Sequence, residues 1–172
     1  ARLAHSEIEE STVKIRSAIP PAILRAQIHL RKGRLNDLCF ALHQSIIAIA
    51  ASNRKIILWN FRTAEIQQVL SGFSRSVGQV VYSGEGRLVS AERSREIQHP
   101  CWVYLHDGER IKPICQISGP VTALAPWQQH GLLAAGRDGT LTLLDLDQEN
   151  ARLNTLQLQD WPRGICLPAG SD

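Results

Sequence analysis

The sequence predicts an all-β chain built from a repeated four-stranded antiparallel unit. Residues 52–60 and 137–145 share one pattern, namely a turn residue, an alternating strand, a bulky side chain and then Asn or Asp. The two segments lie 85 positions apart, which is about two repeats of 40–45 residues. A strand of the same kind, residues 102–106, lies midway between them. The spacing therefore predicts three successive units.

Each unit supplies four short strands. The first strands are predicted at 38–42, 77–82 and 121–124, the second at 47–51, 88–91 and 132–135, and the fourth at 65–70, 111–117 and 153–158. The second strands are continuous runs of small apolar residues, which is typical of a strand packed on both faces. Four short strands joined by tight polar turns are typical of a β-propeller blade.

The predicted domain organisation is a terminal segment followed by a partial propeller. The segment covers 1–23 and the propeller 24–172, with blades at roughly 36–72, 77–119 and 120–160. Residues 26–30 resemble a fourth strand whose own blade is mostly missing, and residues 163–167 resemble the opening strand of a further blade. The absence of methionine and the start at Ala1 suggest a segment of a longer protein, although a processed terminus would look the same.

Two interpretations of the N-terminal segment are open. Residues 6–9 fit a capping box, and four residues fall on one helical face: Ile8, Thr12, Ile15 and Ile19. Residues 12–16 also alternate like a strand. A short helix ahead of Pro20 and Pro21 is the preferred interpretation, and such a helix would cover an open blade or dock on a partner.

The repeats resemble the WD-repeat family. The residues that carry the resemblance are Asn53 with Leu58-Trp59-Asn60, and Asp138-Gly139 with Leu143-Leu144-Asp145. The resemblance implies that Asn53 and Asp138 order the turn between the second and third strands. The chain departs from the family pattern in three respects: only the first repeat keeps the Trp of the signature dipeptide, no Gly-His pair opens a repeat, and the second blade has a lengthened turn at 93–100.

Three blades do not close a propeller, since propellers contain about four to eight. Two apolar sheet faces would be left open. Either the other blades lie outside this chain, or a partner protein completes the propeller, or the fold is a smaller β-sandwich or open barrel.

Composition and motifs favour a non-catalytic protein. Apolar residues make up 44%, charged residues 20%, and the net charge is +3, which is small for a nucleic-acid-binding protein. The four cysteines and six histidines show no metal-ligand spacing, and no G-x-S-x-G, P-loop or G-x-G-x-x-G motif occurs. We therefore expect no enzyme activity, cofactor, metal or catalytic residue. We also expect an intracellular protein, cytoplasmic or nuclear, without a membrane partner.

The candidate binding residues are mostly arginines. The resemblance implies that one propeller face, carrying the blade-joining loops and the turns after the second strands, binds protein partners. Trp161 would be an anchor there, and the arginines expected on this face are Arg54, Arg75, Arg137 and Arg163. Arg93 and Arg95, in the lengthened turn, would suit an acidic peptide. The sequence thus favours a scaffold or adaptor within a larger complex, and the alternative is a nucleic-acid-associated module whose binding weakens with salt.

Overall fold

The computed structural model describes residues 11–16, 24–30, 33–41, 44–108, 110–148, 152–160 and 162–165. These residues form fourteen strands, arranged as one two-stranded hairpin and three four-stranded antiparallel sheets. The prediction of an all-β chain with four-stranded antiparallel blades is confirmed. No helix that could cross a membrane is found in this described part of the chain.

The hairpin consists of β1 (Ser11–Arg16) and β2 (Leu24–Leu30), paired antiparallel. The preferred helix is therefore wrong for residues 11–16, and the rest of the predicted helix lies outside the described residues. β-Branched side chains at Thr12, Val13 and Ile15 favour extended backbone. Pairing with β2 supplies these residues with backbone hydrogen bonds that a helix would form within itself. The alternation at 12–16 therefore predicts the observed strand, and the helical spacing does not.

The three sheets follow one another along the chain. The first contains β3 (Leu35–Phe40), β4 (Ile46–Ala51), β5 (Lys55–Asn60) and β6 (Glu65–Leu70). The second contains β7 (Val77–Tyr82), β8 (Leu88–Glu92), β9 (Cys101–Asp107) and β10 (Arg110–Ile117). The third contains β11 (Val121–Trp127), β12 (Gly131–Gly136), β13 (Thr140–Asp145) and β14 (Arg152–Gln157). In every sheet the strands are neighbours in sequence order.

The apolar core lies between the sheets in three layers. β2 packs on the first sheet through Ile28 and Leu30, which meet Ile47, Ile49 and Trp59. The opposite face of the first sheet packs on the second sheet in a layer formed by Ala48, Ala50, Ile56, Leu70, Phe73, Val77, Val80 and Leu88. The second and third sheets meet in the largest layer, which includes Val89, Val103, Ile117, Leu132 and Leu144. Separate sheets stacked in series are the blade arrangement of an open propeller, and not a two-sheet sandwich.

The second strand of each sheet is the most deeply buried. All residues of β8 are buried, as are residues 47–51 of β4. Small side chains such as Ala48, Ala91 and Ala134 recur there, so that neighbouring sheets can approach on both sides. The first strands lie innermost, because β7 contacts both β3 and β11. The turns that follow the second strands consequently gather at one end of the molecule.

The outer face of the third sheet differs from that of the first. Leu133 pairs with Leu143, and Leu141 pairs with Leu156, on the face directed away from the second sheet. None of these four leucines belongs to the buried clusters formed by the described residues. The apolar outer face of the first sheet, in contrast, is covered by β2.

Candidate functional site

Four of the predicted arginines line one cavity of about 620 Å³. They are Arg93, Arg95, Arg137 and Arg163, and we call this space the arginine cavity. Its other lining residues are Asn36, Gly78, Gln79, Ser94, Pro120, Val121 and Thr122. The cavity thus lies at the end of the molecule that carries the turns after the second strands, and all three sheets contribute to it.

Two of these arginines occupy equivalent positions in successive blades. The backbone N–H of Arg93 donates to the Ser76 carbonyl at 2.7 Å, and that of Arg137 donates to the Pro120 carbonyl at 2.9 Å. In each case the residue directly follows the second strand and its acceptor directly precedes the first strand. Ser52 makes the same bond in the first blade. The blade repeat itself therefore places Arg93 and Arg137 side by side.

The position of Arg93 depends on a close approach to the inner strand β7. A Cβ atom added to Gly78 would lie 2.7 Å from the Cβ of Arg93, which is too short for two carbon atoms. The absent side chain leaves room for Arg93 to cross β7 toward the first sheet. There its guanidinium donates to Oδ1 of Asn36 at 3.3 Å. The Asn36 amide in turn donates to the Val77 carbonyl at 2.6 Å.

The carboxylates next to these arginines in sequence bond to other groups. Buried Glu92 accepts at Oε1 from the Ser74 hydroxyl at 2.7 Å, the Arg75 backbone N–H at 3.1 Å and the Tyr104 hydroxyl at 3.0 Å. Oδ1 of Asp138 accepts from the backbone N–H of Thr140 at 3.1 Å and from its hydroxyl at 2.6 Å. Both carboxylates therefore hold backbone turns.

The other predicted site residues lie apart from the cavity lining. Arg54 is exposed in the turn between β4 and β5, where its φ is +62°. Arg75 lies between the first and second sheets and donates to the Pro100 carbonyl at 3.4 Å. Asn53 lies beside Gly33 in the turn after β4. Trp161 is outside the described residues.

The arginine cavity is lined by guanidinium groups and offers no activated nucleophile among its described lining residues. The Thr122 hydroxyl donates to the Pro162 carbonyl at 2.7 Å, and the Ser94 hydroxyl accepts from the Glu96 backbone N–H at 3.1 Å. No histidine or carboxylate lines the described wall to act as a base. Guanidinium groups bind carboxylates and phosphates through paired, charge-assisted hydrogen bonds.

A buried Ser–His pair was missed in the sequence because its two members lie on different strands. Oγ of Ser90 on β8 is 2.8 Å from Nε2 of His106 on β9. Burial lowers the pKa of His106 to about 4, and its Nδ1 has no partner among the described residues. A histidine with so low a pKa and no orienting carboxylate is a poor base, so this pair is structural.

The opposite end of the molecule carries a charged cluster that the sequence also did not reveal. Nδ1 of His130 lies 2.8 Å from Asp147 and 3.1 Å from Glu85, while Arg87 contacts Asp147 at 2.8 Å and Glu85 at 3.0 Å. The histidine and the two carboxylates are close enough to bind one ion. Arg87 already bridges both carboxylates, which accounts for the cluster as a contact between the second and third sheets.

Cys39 and Cys101 are structural rather than reactive. Burial raises the pKa of Cys39 to about 12 and also raises that of Cys101. A thiol with a raised pKa forms little of the reactive thiolate. Cys166 lies outside the described residues.

Comparison with known proteins identifies partial sequence relatives. No protein-family profile matches the chain. The chain is 23% identical over 141 residues to the nuclear distribution protein PAC1 of Arthroderma otae, covering 76% of this chain and 31% of that protein. It is 24% identical over 151 residues to the protein of the same name from Arthroderma benhamiae, covering 82% and 32%. The chain spans about a third of the length of these relatives.

Two solved structures of computationally designed proteins are similar in fold. Ika8 superposes with a TM-score of 0.69 at 15% identity, covering 87% of this chain and 45% of that one. Ika4 superposes with a TM-score of 0.68 at 15% identity, covering 84% and 86%. At this identity the likeness concerns the fold alone. The chain is thus an open β-propeller with limited sequence similarity to part of the nuclear distribution proteins.

Proposed function

We propose that this chain is a non-catalytic protein-interaction scaffold that works within a larger complex. Its binding surface would be the end of the propeller that carries the arginine cavity. The observation that carries the proposal is the convergence of Arg93, Arg95, Arg137 and Arg163 from separate loops on one cavity. Arginine is enriched among the residues that dominate binding energy in protein interfaces.

The comparisons support the same proposal at a coarse level. Similarity to nuclear distribution proteins, together with the blade repeat, favours a divergent WD-repeat-like propeller. Propeller folds host many unrelated functions, so the fold alone does not name the partner. We infer an intracellular location, cytoplasmic or nuclear, from the similarity to nuclear distribution proteins.

The proposal predicts that removing two cavity arginines abolishes partner binding. In an Arg93→Ala/Arg137→Ala double variant, affinity purification from cell extract, read by quantitative mass spectrometry, should lose the proteins that the wild-type chain retains. The physical reason is the loss of bidentate guanidinium contacts at the centre of the surface. Circular dichroism and thermal unfolding would verify that the variant is folded.

A matched control is Arg62→Ala/Arg110→Ala. These two exposed arginines lie at the opposite end of the molecule, in or beside the turns between third and fourth strands. The control removes the same net charge and should retain the wild-type set of proteins. An unchanged set in the folded cavity variant would refute binding at this end, and equal losses in both variants would indicate unspecific charge attraction.

A further inference from the structure

The charged cluster at the end of the molecule opposite the arginine cavity joins side chains from three turns. Glu85 lies in the turn between β7 and β8, His130 in the turn between β11 and β12, and Asp147 in the turn after β13. We call these three residues the turn triad. The expectation that the chain binds no metal came from the spacing of histidines and cysteines along the sequence, and that spacing does not report residues brought together from separate turns.

The backbone holds these turns close to one another. The Leu146 backbone N–H donates to the His130 carbonyl at 2.8 Å, which joins the turn after β13 to the turn between β11 and β12. A Cβ atom added to Gly84 would lie 2.8 Å from the Gln128 carbonyl oxygen, so glycine at this position lets the turn between β7 and β8 approach the third sheet. The side chains of the turn triad therefore converge because the backbones of the two blades pack closely at this end.

Each carboxylate of the turn triad divides its two oxygens between Arg87 and His130. Oε2 of Glu85 lies 3.0 Å from Nη2 of Arg87, and Oε1 lies 3.1 Å from Nδ1 of His130. Oδ1 of Asp147 lies 2.8 Å from Nη1 of Arg87, and Oδ2 lies 2.8 Å from Nδ1 of His130. Arg87 thus orients both carboxylates, and one oxygen of each is directed at the same imidazole nitrogen. Carboxylates that bind metal ions are commonly oriented by such additional hydrogen bonds.

The charge and the distances of the turn triad suit a small cation. Arg87 offsets only one of the two carboxylate charges, so one negative charge remains. The three facing atoms lie within 4.8 Å of one another. In a tetrahedral zinc site with ligand bonds of about 2.0–2.2 Å, neighbouring ligand atoms are roughly 3.3–3.6 Å apart. The distances of 2.8 and 3.1 Å from Nδ1 to the two oxygens are close to this separation, so small side-chain movements would admit an ion.

We propose that the turn triad binds one zinc ion through Nδ1 of His130 and one carboxylate oxygen each of Glu85 and Asp147. Imidazole nitrogen favours zinc and other transition metals, whereas magnesium and calcium prefer oxygen ligands alone. The three side chains are partly exposed, so water reaches the fourth position of the ion. Arg87 is a positioning residue for the two carboxylates. The bound ion would stabilise the contact between the second and third blades, independently of partner binding at the arginine cavity.

The test is a zinc titration of the whole chain against a competing chromophoric chelator. The wild type should bind zinc saturably, and its thermal unfolding midpoint should rise with zinc, because an ion that binds the folded state stabilises it. His130→Ala should raise the Kd for zinc by about tenfold or more and remove the shift of the midpoint. Asp147→Asn, which keeps the shape of the side chain, should also weaken binding. The matched control is His99→Ala, which removes an exposed histidine paired with Glu96 alone and should keep the wild-type affinity.

Three outcomes would overturn the proposal. The first is the absence of saturable zinc binding by the folded wild-type chain, which would show that the triad is an ion-pair contact only. The second is equal zinc affinity in the wild type and in His130→Ala, because other groups would then hold the ion. The third is tighter binding of magnesium or calcium than of zinc, which would refute ligation by the imidazole. Thermal unfolding without zinc verifies that each variant is folded, and Asp147→Asn decides the question if His130→Ala does not fold.

Discussion

At the scale of single residues, His106 makes the stability of the core depend on pH. Its ring is 6% exposed, lies 5.8 Å from the ring of Phe73 and bonds to Ser90. Burial lowers its pKa to about 4 from an ordinary value of 6.5. Between these values the unfolded chain binds a proton that the folded chain does not. Its contribution to stability is therefore complete above pH 6.5 and is lost as pH falls toward 4, by about 3 kcal/mol in all.

Replacing this histidine should flatten the acid side of the stability profile. In His106→Gln the side chain stays neutral and can still bond to Ser90, so the loss of unfolding free energy between pH 6.5 and 4 should be about 3 kcal/mol smaller than in wild type. Urea titrations across this pH range measure it. Equal slopes in the wild type and in His106→Gln would contradict the assignment.

Asp138 is the second residue whose role can be isolated. Its carboxylate accepts two hydrogen bonds from Thr140, and Asp138→Ala should lower the unfolding free energy by about 1–2 kcal/mol. The measurement is the urea midpoint at neutral pH. Asp107→Ala makes the same chemical change at an exposed position on β9 and should stay within about 0.5 kcal/mol of wild type. A larger effect at Asp107 would show that general charge loss, rather than the turn, sets stability.

At the scale of elements, the strands of the three blades could be predicted because burial imposes a visible pattern. β4 is buried on both faces and β12 is buried at four of its six residues, and both sequences are continuous small apolar runs. β5 and β13 end at Asn60 and Asp145, which accept backbone N–H groups of Arg62 and Asp147 in the next turn. In these segments the turn residues and the hydrophobic periodicity predict the same strands.

The elements that were missed depend on pairing across the chain. Residues 12–16 are compatible with helix and strand alike, and only the partner strand β2 decides between them. The Ser90–His106 bond follows from the register of β8 against β9, which no local signal reports. The cluster around Arg87 joins turns of two sheets. The convergence of four arginines on one cavity likewise depends on the stacking of the sheets, although the sequence alone indicates these arginines as candidate binding residues.

At the scale of the whole molecule, the two terminal sheet faces are unequal. The first sheet is covered by β2, and Leu30 is only 3% exposed. The outer face of the third sheet carries half-buried leucines, and Leu156 is 58% exposed. Strand β2 is therefore part of the packed core through Ile28 and Leu30.

Two leucine truncations test this difference. Leu30→Ala should lower the unfolding free energy by about 2–5 kcal/mol, because it leaves a cavity against the Trp59 cluster. Leu156→Ala should change it by no more than about 0.5 kcal/mol, because more than half of this side chain is already exposed. Chemical denaturation of both variants measures the two values. Equal effects would mean that the hairpin does not pack on the first sheet in solution.

Because Arg93 and Arg137 occupy equivalent positions in successive blades, the distance between blades limits which ligands can bridge them. Stacked sheets lie about 10 Å apart, and an extended peptide advances about 3.3 Å per residue. A ligand running from blade to blade would thus meet the second arginine about three residues after the first. The blade spacing, rather than either side chain alone, would therefore decide which groups of a ligand can contact both arginines.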